Sequence, residues 1–299
     1  DKETFGIHAN LTKSELEIGY DARATVEDFM EFINQGKEIS DEAYKNYSCM
    51  KDVIYGDLPS STMDIFPAEK NSPILIVIHG GYWRALNKEQ HAFTVPLFNQ
   101  HNVCSITVEY GLAPKTKVAE MVTQIRQAVS WAYHNAEEFN GDKNKIFAIG
   151  SSAGAHLAAM LLQSGWHEEH NVPENIIKGV TLQSGLYDLS PLIDCEPNQW
   201  LNMDNDQAKQ SSFIGNKLIS EDIEINVIYA EEDTDEFKLQ SIEAANYIRQ
   251  NNLNCEVKEI KATNHYDLFL HFSDKNKDIT EQFINQIKGI QLHNSLGND

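Results

Sequence analysis

Ser152 stands at the centre of Gly150-Ser151-Ser152-Ala153-Gly154, between the apolar stretch Lys145-Ile146-Phe147-Ala148-Ile149 and the run from Ala155 to Leu162. This is G-x-S-x-G on a turn from a buried strand into a helix, a setting in which a serine oxygen projects from a sheet edge as a nucleophile. Such a turn strains its middle residue, and glycines two places before and after it let strand and helix approach. The pattern alone would arise by chance in roughly one 300-residue chain in ten. Its partners must decide. A serine hydroxyl needs an adjacent base to take its proton, and that base needs a third group to hold its tautomer.

On this architecture the chain order is Ser, then an acid, then His. Downstream, Ile225-Asn226-Val227-Ile228-Tyr229-Ala230 reads as a buried strand and ends in Glu231-Glu232-Asp233-Thr234-Asp235-Glu236. The next strand-like segment, Cys255 to Ile260, is followed closely by Asn264-His265-Tyr266-Asp267. His265 is therefore the expected base. His271 falls in the following apolar, helix-like run, and His293 in a polar C-terminal stretch. Among the acids, Thr234 or Asp235 suits the cap of the next helix, and Glu231 and Glu232 are expected to be exposed.

Upstream, Pro73-Ile74-Leu75-Ile76-Val77-Ile78 is continuously apolar, the mark of a strand buried on both faces, and ends in His79-Gly80-Gly81-Tyr82-Trp83-Arg84. A glycine pair here lets backbone N–H groups turn inward as half of an oxyanion hole. The expected donors are Gly81 and Tyr82, with Ala153 supplying the other half.

The elements that must position these groups alternate. Residues 1–50 form a polar, helix-prone preface, with Leu11, Leu16, Ile18, Phe29, Phe32 and Ile33 as spaced apolar contacts. Two short strand-like pieces, 52–55 and 63–66, suit an antiparallel edge. Strands before His79, at 103–108, before Ser152 and at 176–182 then alternate with helices near 88–100, 117–139 and after Ser152. This rhythm predicts a mostly parallel sheet covered by helices on both faces. The polar stretch 187–222, with Pro191, Pro197 and Trp200, breaks the rhythm and is expected to cap the site. A last helix is expected near 275–287. No repeat or linker divides the 299 residues, so one domain is expected over 1–299.

Net charge is −21, from 24 basic and 45 acidic residues, which argues against nucleic acid and anionic membranes as partners. No apolar run reaches the roughly 18 residues of a membrane span, and no signal-peptide pattern opens the chain. Four widely spaced cysteines, Cys49, Cys104, Cys195 and Cys255, read as reduced thiols and not as a disulfide framework. A cytoplasmic location is the expectation, and a homodimer is left open. His167-Glu168-Glu169-His170 is not H-E-x-x-H and reads as a solvated loop, not a metal site. His156, one helical turn after Ser152, reads as a structural histidine.

These residues resemble the kynurenine formamidase (arylformamidase) branch of the α/β-hydrolases, within the wider hormone-sensitive-lipase-like esterases. The likeness covers most of the chain. It includes Gly19-Tyr20-Asp21-Ala22-Arg23, Tyr55-Gly56, Met63-Asp64-Ile65-Phe66-Pro67, Tyr110-Gly111-Leu112-Ala113-Pro114 and Ser184-Gly185-Leu186-Tyr187-Asp188-Leu189. Its most specific signature is His79-Gly80-Gly81-Tyr82-Trp83, and Asn264-His265-Tyr266-Asp267 resembles the family's N-H-F-D. Ser151 departs from it, where relatives often carry histidine.

The resemblance implies an α/β-hydrolase fold and puts the acid on Asp233. The combined expectation is a hydrolase of small carboxylic esters or amides. Ser152 attacks, His265 shuttles the proton and Asp233 orients it; no metal or organic cofactor is required. Trp83, Tyr187 and Trp200, with Tyr82, are expected to hold an aryl substrate. Deformylation of N-formylkynurenine competes with short-chain ester hydrolysis. A non-catalytic binding protein on the same fold is the alternative of a different class.

Overall fold

A computed structural model describes residues 10–290 and centres on an eight-stranded sheet in the order β1-β2-β4-β3-β5-β6-β7-β8. The strands are β1 (Met50–Ile54), β2 (Thr62–Phe66), β3 (Ser72–Ile78), β4 (Cys104–Val108), β5 (Gly141–Ser151), β6 (Ile177–Gln183), β7 (Glu224–Ala230) and β8 (Glu256–Ile260). Pairings from β4 through β3 to β8 are parallel, whereas β2 runs antiparallel to both β1 and β4. The antiparallel edge expected from the sequence is therefore present. All seven residues of β3 are buried, as a central parallel strand covered on both faces requires.

The helices are α1 (Lys13–Gly19), α2 (Phe29–Asn46), α3 (Val95–Gln100), α4 (Val118–Asn135), α5 (Ala153–Ala159), α6 (Asn198–Leu201), α7 (Asn205–Ser211), α8 (Asp235–Gln250) and α9 (Asp278–Lys288). Side-chain caps set several of their starts. Thr12 and Glu15 form a reciprocal box at α1, Asp28 accepts from Met30 N–H at α2, and Thr234 accepts from Phe237 N–H at α8.

Two apolar cores lie on opposite faces of the sheet. The larger gathers Ile74, Ile76, Ile106, Ile125, Leu157 and Leu182; the smaller gathers Leu75, Val77, Phe98, Phe147, Ile149 and Phe283. Alternate residues of β3 and β5 enter opposite cores, the period-two consequence of strand geometry.

Two expectations are corrected. The segment 187–222 is not a cap: Leu189, Leu192, Leu201, Ala208, Phe213, Leu218 and Ile219 are buried in the larger core, so it is part of the body of the fold. In the N-terminal preface Ile18 is 71% exposed and contributes no core contact of note, while Leu16 and Ile33 are buried.

Candidate active site

The chemistry-bearing residues follow the carboxyl ends of successive parallel strands: His79 after β3, Glu109 after β4, Ser152 after β5, Ser184 after β6, Asp233 after β7 and His265 after β8. Open α/β sheets place their sites at this edge, where loops converge without breaking the ladder.

Ser152 sits at φ 55° and ψ −115°, a strained conformation at the first turn of α5. Its N–H donates to the Gln183 carbonyl at 2.8 Å, which anchors the turn to β6. The flanking glycines are dictated by backbone proximity. A Cβ at Gly150 would lie 2.1 Å from the Gly154 carbonyl oxygen, and one at Gly154 would lie 2.1 Å from that of Ile78.

His265 Nε2 lies 3.1 Å from Ser152 Oγ, and its Nδ1 lies 2.7 Å from Asp233 Oδ1. The Phe237 ring packs edge-on to the imidazole at 4.8 Å between centroids, which restricts its rotation. Asp233 is buried, and its second oxygen accepts from Ser184 Oγ at 2.5 Å and Ala230 N–H at 2.9 Å. Burial pushes the Asp233 carboxyl up. The His265 charge and the hydrogen bonds from His265, Ser184 and Ala230 more than offset that, holding it below the usual carboxylate range. The other acids stand apart: Glu232 is exposed and Glu231 pairs with Lys261, while Thr234 caps α8.

The loop after β3 lies directly beside Ser152. A Cβ on Gly80 would fall 2.6 Å from the Ser151 carbonyl oxygen and 3.4 Å from Ser152 Cβ. Gly81, Tyr82 and Trp83 all have positive φ, at 106°, 51° and 59°, so three successive residues turn the chain sharply at this point. Ala153 is the first residue of α5, where a backbone N–H has no intrahelical acceptor. His79 braces the loop: its Nδ1 is 2.7 Å from the Gly80 carbonyl and its Nε2 3.0 Å from Glu109 Oε1.

A cavity of about 180 Å³ opens over Ser152 and His265. Its walls are Phe29, Met30 and Ile33 of α2, Ala22 and Arg23 of the preceding 3-10 turn, Leu86, His91, Tyr266 and Phe269, with Gly80, Gly81 and Tyr82 at the floor. None of these comes from 187–222.

The expected aryl-binding residues are therefore corrected, Tyr82 excepted. Trp83 is fully buried and donates from Nε1 to His156 Nδ1 at 3.2 Å. Tyr187 is fully buried in the larger core. Trp200 stands behind the loop, donating to the Tyr82 carbonyl at 2.9 Å, with Arg84 stacked 3.6 Å over its ring. Trp83 and Trp200 hold the loop's shape instead of touching the cavity.

His156 also binds the Ser211 carbonyl through Nε2 at 2.6 Å. Burial, followed by the opposing Ser211 bond and the Arg126 charge, depresses it to about 4, so it is a neutral packing residue. His167 is buried and stacked on Trp166 at 4.0 Å, not solvated as expected. His271 lies in the 3-10 turn Phe269–Ser273, and His293 lies outside the described residues. Among the described residues no helix is long and apolar enough to cross a membrane.

A strained serine between β5 and α5, with an acid and a histidine after the last two strands, defines this molecule as an α/β-hydrolase. Comparison with known proteins narrows the class. The BD-FAE family model matches residues 63–254. The chain is 29% identical over 291 residues to the kynurenine formamidase of Danio rerio, covering 93% of this chain and 97% of that one. It is 31% identical over 254 residues to the kynurenine formamidase of Salmo salar, covering 82% and 84%. A solved esterase from Pyrobaculum calidifontis superposes with a TM-score of 0.68 at 18% identity, over 94% of this chain and 99% of that one. The chain belongs to the kynurenine formamidase-like branch of the α/β-hydrolases, akin to hormone-sensitive-lipase-like esterases, and is a hydrolase.

Proposed function

We propose that this hydrolase cleaves aryl formamides and small carboxylic esters through an acyl-enzyme on Ser152. The Ser152 hydroxyl attacks the acyl carbon while His265 Nε2 takes its proton. Asp233 holds the Nδ1–H tautomer and supports the imidazolium that forms. The oxyanion of the tetrahedral intermediate accepts hydrogen bonds from the backbone N–H groups of Gly81, Tyr82 and Ala153; such a donor is typically worth about 3 kcal/mol in the transition state. Collapse expels the amine or alcohol, which receives its proton from His265. Water, activated by the same imidazole, then releases formate or another short acid and restores the hydroxyl. Every step uses protein groups and water.

The observation that carries this reading is the relay from Ser152 Oγ through His265 to Asp233, at 3.1 and 2.7 Å. Aryl formamide comes first among substrates because full-length relatives bear the name kynurenine formamidase, and because Phe29, Tyr266 and Phe269 line the cavity. A short-chain carboxylesterase with another natural substrate is the second reading, favoured by the small cavity. Parallel kcat/KM measurements on N-formylkynurenine and p-nitrophenyl acetate test the order. A preference of at least tenfold for the formamide is expected; the reverse preference would make esters the function.

A further inference from the structure

The cavity over Ser152 is apolar on most of its walls, and among the described residues the Arg23 guanidinium is the one permanently charged side chain lining it. This is conspicuous in a chain with 45 acidic and 24 basic residues. Arg23 belongs to the 3-10 turn Ala22–Thr25, whose start is fixed by Asp21 accepting from Ala24 N–H. Its guanidinium lies 4.4 Å over the Phe29 ring, a stacking that limits its motion and leaves its edge donors free to bind. It is exposed, which puts it at the rim. Among the described residues it forms no ion pair. The Tyr266 phenol on the inner wall is raised most by burial; the Arg23 charge opposes that, and Asp21 and Asp233 add to it.

The position selects which part of a substrate it can meet. The acyl group must sit at Ser152 and the oxyanion loop, so the leaving portion extends towards the rim. We infer that Arg23 binds a carboxylate on the leaving portion of the substrate, making the enzyme selective for anionic aryl formamides and esters over neutral ones. The inference rests on the hydrolase reading of the same cavity. A planar guanidinium matches a carboxylate through two parallel N–H···O bonds, which lysine cannot reproduce.

The test uses 4-acetoxybenzoate and 4-acetoxybenzamide, which share acyl group and shape and differ in charge. The ratio of their kcat/KM values is measured in the wild type, Arg23→Gln, Arg23→Lys and Lys37→Gln; Lys37 is exposed on α2 and absent from the cavity lining. Expected is a roughly tenfold fall of the benzoate-to-benzamide ratio in Arg23→Gln, carried by KM, a smaller fall in Arg23→Lys, and none in Lys37→Gln. Added salt should lower the wild-type ratio as well. A ratio unaltered by Arg23→Gln, or lowered equally by Lys37→Gln, would overturn the role of Arg23 alone. A wild type that turns over neither ester would overturn the hydrolase reading and this inference with it.

Discussion

Gly154 and Ile78 are in backbone contact: a Cβ at position 154 would lie 2.1 Å from the Ile78 carbonyl oxygen. Helix α5, which starts at Ala153, is thereby pressed against the end of β3, one residue before the loop that begins at His79. Neither atom is the end of a flexible side chain, so Gly154→Ala must move backbone. A loss of about 1–3 kcal/mol in urea unfolding is expected, with kcat of the folded fraction reduced at least tenfold. Wild-type stability and kcat together would show that this contact does not set the site's geometry.

Asp233 tests the relay from its far end. Asp233→Asn should lower kcat by about 10⁴ with little change in melting temperature, because an amide can hold the wrong imidazole tautomer. Glu232→Gln, at an exposed position, should change kcat less than twofold. If Glu232→Gln is the more damaging of the two, the acid has been placed one residue too far along the loop.

The cavity volume limits the acyl chain. With about 180 Å³ walled by Phe29, Ile33 and Phe269, p-nitrophenyl esters should be cleaved best at C2 to C4, with kcat/KM falling beyond. A long acyl tail gains about 0.8 kcal/mol per methylene only where apolar surface can cover it. A wild-type profile rising towards C10 or C12 would contradict both the formamide and the small-ester readings.

Acid should destabilise the fold through buried histidines. Burial, and then the His79 charge, depresses His91 to about 3, while burial depresses His156 to about 4. Both folded values lie below the ordinary 6.5, so the unfolded chain takes up protons that the folded one refuses. Stability is therefore full above about pH 6.5 and declines as pH falls, by up to about 1.4 kcal/mol per unit for each group. Asp233, whose folded value is lowered, adds a loss in the same direction at still lower pH. Urea midpoints between pH 4 and 7 measure the slope, and His91→Phe should reduce it by about one proton. A flat profile in the wild type would refute the account of these two histidines.

The sheet, Ser152 and His265 were legible because their signals are local, whereas the choice of Asp233 within the acidic run came from the family resemblance. The apolar run of β3, the glycines around Ser152 and the strand-then-acid, strand-then-histidine order each lie within a few residues. The cavity was not legible, because its walls meet only after folding. Phe29 and Ile33 read equally well as core contacts of an amphipathic helix, and nothing local says that α2 crosses the catalytic edge. Trp83 and Trp200 misled for a related reason: an aromatic residue's place in the sequence does not say which face of the loop after β3 its ring takes. Their indole N–H groups find acceptors behind it, on His156 and Tyr82. The Ser184 hydroxyl, which fixes Asp233, stands in a segment that resembles the family's, but nothing local says which side chain it meets.

The central claim, that Ser152 is the nucleophile of a working relay, is tested most directly by fluorophosphonate labelling read by mass spectrometry of the intact chain and its peptides. The account predicts one adduct, on Ser152, in the wild type and in Ser151→Ala, and none in Ser152→Ala. An unlabelled wild type, or a label that persists in Ser152→Ala and disappears in Ser151→Ala, would contradict it.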